Sequence, residues 1–128
     1  MSKTVIATNG APAALGPYSQ GIRTGNLIFT AGQTGIDPAT QQVAAGGITE
    51  QATQVLENLK AVLEAGGSGL DRVVKANVYL QNLDDFAAMN EVYAKYLGAQ
   101  GALPARTTVE VSRLPRNVLI EIEFVAEV

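Results

Sequence analysis

The side chains best suited to chemistry lie near the C-terminal end. Arg106 and Thr108 alternate with Thr107, Val109 and Val111, and Glu121 and Glu123 alternate with Val118, Ile120, Ile122 and Phe124. A strand sends successive side chains to opposite faces. Arg106 and Thr108 therefore share one face of their strand, and Glu121 and Glu123 share one face of theirs. Two readings fit this spacing. Both sets can be the solvated outer faces of half-buried strands. They can also be a cationic anchor and a carboxylate facing a common cleft, and Leu119 and Val125 make the glutamate face partly apolar. Spacing alone leaves open whether the two strands pair directly.

The 128 residues include no histidine and no cysteine. That inventory removes Ser-His-Asp and Cys-His nucleophiles, disulfides and the usual zinc sites. Proton transfer falls to Asp, Glu, Lys, Tyr or water. A net charge of -3 opposes a broad phosphate-binding face, so nucleic acid is not an expected partner. Other segments have simpler explanations. Gly16-Pro17-Tyr18-Ser19-Gln20-Gly21 is turn-rich and carries an aromatic hydroxyl, which an ordered loop can hydrogen-bond. Gly66-Gly67-Ser68-Gly69 lacks the Gly-Lys-Ser/Thr ending of a phosphate loop and reads as a helix stop. Asp84-Asp85 sits where a helix start favours acids. Tyr93 and Tyr96 read as core.

Elements must position these residues. Residues 4–7 can form a first strand, and 20–24 and 27–32 form two more, joined by a Gly25-Asn26 hairpin turn. Over 48–65, Ile48, Ala52, Val55, Leu59, Val62 and Leu63 recur at helical spacing, between Gly46-Gly47 and Gly66-Gly67. Residues 73–80 alternate as a strand, with Val74, Ala76, Val78 and Leu80 on one side and Val73 and Tyr79 on the other. Asp84 or Asn82 caps a second helix carrying Phe86, Met89, Val92, Tyr93 and Tyr96 and stopping at Gly98. Strands over 106–111 and 118–125 follow, joined through Leu114-Pro115.

The order β-β-β-α-β-α-β-β predicts a single α+β domain over 1–128, with both helices on one face of the sheet. Two helices cannot cover both faces, so self-association through the open face is expected. Residues 1–14 contain one lysine and no long apolar run, which predicts a soluble, cytoplasmic chain without a signal or membrane anchor.

Across nearly its whole length the sequence resembles the RidA (YjgF) family of imine deaminases. The resemblance rests on Gly16-Pro17-Tyr18-Ser19-Gln20-Gly21, Phe29-Thr30-Ala31-Gly32-Gln33, Val74-Lys75-Ala76-Asn77-Val78 and Leu83-Asp84-Asp85-Phe86 with Asn90 and Tyr93. It continues through Pro104-Ala105-Arg106-Thr107-Thr108-Val109-Glu110-Val111 and Ile120-Glu121-Ile122-Glu123. It implies a fold like the Bacillus chorismate mutase, with one mostly antiparallel sheet and the last two strands not adjacent. It also implies a homotrimer with clefts between subunits, where Arg106 and Glu121 meet across the sheet or the subunit cleft.

The implied activity is hydrolysis of 2-iminobutanoate, 2-iminopropanoate and 2-aminoacrylate, released by PLP-dependent enzymes, to 2-oxo acids and ammonia, without cofactor or metal. Arg106 would grip the substrate carboxylate and Glu121 would activate water. Tyr18, Gly32, Asn90 and Thr108 would line the site. Many bacterial members carry Ser at Ala31 and Cys at Thr108, which bears on substrate preference. The alternatives are a non-catalytic trimer that binds 2-oxo acids and, more weakly supported, an endoribonuclease or translation inhibitor.

Overall fold

The computed structural model describes residues 2–128. Three strands open the chain as an antiparallel meander: β1 (Thr4–Ile6), β2 (Gly21–Thr24) and β3 (Leu27–Thr30). Gly25 turns the β2–β3 hairpin at φ 57°, a conformation that costs glycine little. The strand expected over 27–32 stops at Thr30. After a break at Ala31-Gly32 the chain resumes as β4 (Gln33–Thr34), still beside β9 (Ile120–Glu127). Phe29 faces Val125 and Gln33 faces Ile122, so four residue steps on one strand match three on the other. The extra residue is a bulge. Thr30 repairs the interrupted ladder: its Oγ1 accepts the Phe124 N–H at 2.9 Å. A short hairpin of β5 (Ile36–Asp37) and β6 (Gln42–Val43) follows around Pro38.

The first helix, α1 (Ile48–Ala65), has the expected bounds. At its start the Glu50 carboxylate accepts the Gly47 N–H at 2.8 Å. At its end Ser68 N–H reaches Leu63 O at 2.8 Å and Gly67 N–H reaches Glu64 O at 3.1 Å. This is a Schellman stop, with Gly67 at φ 88°. The second helix, α2 (Phe86–Leu97), begins at Asp85 with no side-chain cap bond. Asn82 Oδ1 instead accepts the Asp84 N–H at 2.9 Å in the preceding 3₁₀ turn, so the expected cap acts one turn early.

The helices bracket β7 (Val73–Leu80), and β8 (Ala105–Glu110) follows α2. The sheet order is β1-β2-β3-β9-β7-β8, with β4 beside β9. The sheet is mixed. β8 returns through α2 to lie parallel to β7, while the other pairs are antiparallel. One face packs Ile28, Ala76, Val78, Leu80, Ile120, Ile122 and Phe124 against buried α1 and α2 residues such as Val55, Leu59, Leu63, Met89 and Val92. Val73 joins this core although alternation alone assigned it to the other face. A bulge between Val73 and Lys75 shifts the register, and Val74 is left exposed.

The opposite face stays uncovered in one chain, with Val5 60%, Phe29 44% and Val109 39% exposed. No helix among the described residues is long and apolar enough to cross a membrane. Replacing Gly67 with Ala forces a β-carbon into the left-handed stop. The expected loss is about 1 kcal/mol, read as a lower urea midpoint with an unchanged m value.

Candidate active site

The site is best built from β9. Glu121 pairs with Thr34 of β4 on one side and Tyr79 of β7 on the other, which turns its side chain to the uncovered face. Its carboxylate lies directly over Gly32, where any β-carbon would collide with it. The bulge before β4 provides this opening. A cavity of about 540 Å³ contains Glu121 together with Tyr18, Gly32, Thr34, Ile36 and Arg116.

Buried amides hold its walls. Asn58 of α1 donates to Thr34 O at 3.1 Å and Ile36 O at 2.9 Å, and Gln51 Oε1 accepts the Leu119 N–H at 2.9 Å. Gln20 fixes the loop leading to Tyr18, accepting the Thr8 N–H at 2.7 Å and donating to Pro12 O at 2.7 Å. The Tyr18 hydroxyl accepts the Leu15 N–H at 3.3 Å while the ring stays half exposed. Burial pushes the Glu121 carboxyl above its ordinary range, and the neighbouring Glu123 carboxylate pushes the same way. Glu123 accepts the Asn77 amide at 3.0 Å.

Arg106 belongs to a different surface. It pairs with Ala76, a core residue, so it leaves the sheet on the helix side. Its guanidinium carbon lies 4.7 Å from the centre of the Tyr93 ring and 5.6 Å from that of Phe86. Both rings belong to α2, and Asn90 lies between them on the same helix face by the spacing of four and three. The aromatic faces hold the cation without using its N–H donors. Among the described residues no carboxylate pairs with Arg106. Beside it, Thr108 Oγ1 and the Tyr93 hydroxyl are buried with no hydrogen-bond partner. Burial raises the Tyr93 pKa, and the Arg106 charge opposes that shift, so the hydroxyl keeps its proton at neutral pH.

The six expected residues therefore fall into two groups. Tyr18, Gly32 and Glu121 share one cavity, while Asn90, Arg106 and Thr108 gather at the edge strand β8 under α2. The last two strands are not neighbours, because β7 separates them. Arg106 and Glu121 leave the sheet on opposite faces, so within one chain they cannot meet across it. Alternation missed this because it gives relative faces within a strand, not which face the helices cover. Tyr93 was read as core and is mostly that. Its signal was the spacing from Phe86 and Asn90, which places an aromatic hydroxyl beside an arginine. Arg116 carried no signal in the sequence.

The chain is thus a small α+β protein with an arginine on the helix side of its sheet and a cavity carboxylate on the opposite face. A family profile described as Endoribonuclease L-PSP matches residues 8–128, and the chain belongs to this family, known also as YjgF/RidA. It is 56% identical to a RutC family protein of Pyrococcus horikoshii, over 97% of each chain. It is 48% identical to the 2-iminobutanoate/2-iminopropanoate deaminase of Escherichia coli, over 98% of each. A crystal structure of a putative endoribonuclease from Thermotoga maritima superposes with a TM-score of 0.94 at 49% identity, covering 98% of this chain and 97% of that one.

The raised Glu121 pKa has a consequence for stability. A carboxyl raised in the folded state binds its proton more tightly there than when unfolded. Stability is then lost as pH rises from the unfolded value, about 4.3, through the folded one. Glu121→Gln should therefore melt at a higher temperature than the parent at pH 7. The gain should vanish below about pH 4, where both side chains are neutral. Thermal melts at the two pH values measure it.

Proposed function

We propose that the protein hydrolyses small 2-imino and 2-enamino acids, 2-iminobutanoate and 2-iminopropanoate among them, to 2-oxo acids and ammonia. The cleft that does so is completed between copies in a homotrimer. The observation that carries this reading is the division of the site. The residues that match the family's site lie on two faces: Glu121 shares a cavity with Tyr18 and Gly32, and Arg106 stands on the other face beside Thr108 with no carboxylate paired to it among the described residues. The Arg106 surface lacks a carboxylate to act on water, and the Glu121 cavity has one. A contact between two unlike surfaces is head-to-tail, and it closes into a ring when its rotation divides the circle, as in a trimer. The names of relatives at 44% and 48% identity support the same reaction.

In the assembled cleft the Arg106 fork binds the two oxygens of the substrate carboxylate. Tyr18, the Gly32 backbone, Asn90 and Thr108 line the remainder. An enamino acid first gains a proton at its β-carbon and becomes the imine. Glu121 then takes a proton from water as the water oxygen bonds to the C=N carbon, and the π pair moves to nitrogen, which receives that proton from Glu121. In the carbinolamine that results, Glu121 moves the hydroxyl proton to the amine nitrogen. The C–N bond breaks as the C=O bond forms, and ammonia leaves the 2-oxo acid. A carboxyl with a raised pKa suits this exchange because it can both accept and return a proton. The net charge of -3 and the lack of histidine weigh against the RNA cleavage that the family descriptor suggests.

Imines generated in situ by a PLP-dependent lyase provide the assay. Arg106→Ala should lower kcat/KM more than tenfold, equivalent to about 1.5 kcal/mol or more of a charged contact. Glu121→Gln should lower kcat by about 10²–10⁴-fold. Mixing and refolding the two variants together should restore about one quarter of parental activity, because in a head-to-tail ring one site in four then joins two intact halves. Absence of recovery from a mixture shown to form mixed rings, or sedimentation of only a 13.4 kDa species, overturns the shared cleft.

A further inference from the structure

Arg116 lines the Glu121 cavity, yet the hydrolysis leaves it without a task. It lies in the Pro115–Asn117 turn that leads into β9. Its backbone is left-handed, at φ 57° and ψ 20°, and Asn117 follows at φ 55°. Residues other than glycine seldom take this conformation, so two in succession fix the direction in which the Arg116 side chain departs. Its Nη1 donates to Gln41 O at 3.3 Å, and Gln41 is itself left-handed at φ 63°. The guanidinium thus ties the turn to the β5–β6 hairpin. That single long bond uses one of its five N–H donors.

Within the cavity Arg116 is the only cation and Glu121 the only anion among the described lining residues. The two do not form an ion pair. Leu15, Ile36 and Pro115 supply apolar wall beside them.

We propose that Arg116 is a specificity residue that receives a second carboxylate, at the far end of the substrate side chain, so that the site accepts 2-imino dicarboxylic acids. The methylene groups of such a substrate lie against the apolar wall, and the reacting carbon stays at Glu121. The assignment rests on the imine-hydrolysis reading for its chemistry, but its recognition step can be measured without turnover.

The test compares the parent with Arg116→Asn, Arg116→Asp and Arg116→Lys. Asn and Asp are the non-glycine residues that best tolerate the left-handed backbone, so the turn is retained. An amino-acid oxidase supplies the imine of glutamate or of 2-aminobutanoate, and the readout is the ratio of kcat/KM for the dicarboxylic to the neutral imine. Calorimetry with 2-oxoglutarate and 2-oxobutanoate gives the matching ratio of affinities. Both ratios should fall at least tenfold in Arg116→Asn, fall further in Arg116→Asp, and be partly retained in Arg116→Lys. Ratios unchanged by Arg116→Asp overturn the proposal. If the parent hydrolyses neither imine, the hydrolysis reading fails, and the affinity ratio alone decides the role of Arg116.

Discussion

The side-chain period of two along β9 is the constraint on which the rest depends. Ile120, Ile122 and Phe124 must face the helices to build the core, and that requirement sends Glu121, Glu123 and Val125 the other way. β7 lies beside β9 and is bound by the same alternation, and β8 inherits it through parallel pairing. Arg106 consequently emerges under α2, where aromatic rings are available, while Glu121 emerges on the face without helices. The separation of cation and carboxylate therefore follows from burying a hydrophobic core, and the proposed hydrolysis depends on association to bring the two together.

Local exceptions to regular pairing shape the carboxylate half. The bulge after β3 removes one ladder bond, which the Thr30 hydroxyl replaces, and it places a glycine backbone below Glu121. The buried amides of Asn58 and Gln51 then transmit the rigidity of α1 to β4, β5 and the start of β9. Each satisfies polar backbone groups that irregular strands leave open. The cavity wall is thus fixed by hydrogen bonds from a helix rather than by strand pairing alone.

The long periodic elements were legible in the sequence. Helix α1 keeps its apolar stripe between two glycine pairs, and its bounds follow from them. The positions of β7, β8 and β9 were also legible within two residues, because their alternation is strong. Less was legible where pairing is short or irregular. The two-residue strands β4, β5 and β6 have no period to detect, and the bulge at Val74 reverses an alternation that looked unbroken. Of the candidate site, the strand positions of Arg106 and Glu121 were legible, and Tyr18 entered only through the family resemblance. Their distribution over two faces was not, because that depends on which face receives the helices. Arg116 lay outside any pattern, since two left-handed residues in a turn leave no periodic trace.

The contact between Gly32 and the Glu121 carboxylate also orders the ways in which such a protein can diverge. While the glutamate holds this place, a side chain at position 32 would push its carboxylate aside, because a β-carbon would occupy the carboxylate's position. Once a shorter residue replaces the glutamate, the space is released and larger residues at position 32 become neutral. A glutamate that returns then finds its carboxylate displaced from this position until the glycine is restored. The two positions act as a ratchet: loss of the carboxylate is a single step, and recovery of its placement requires two.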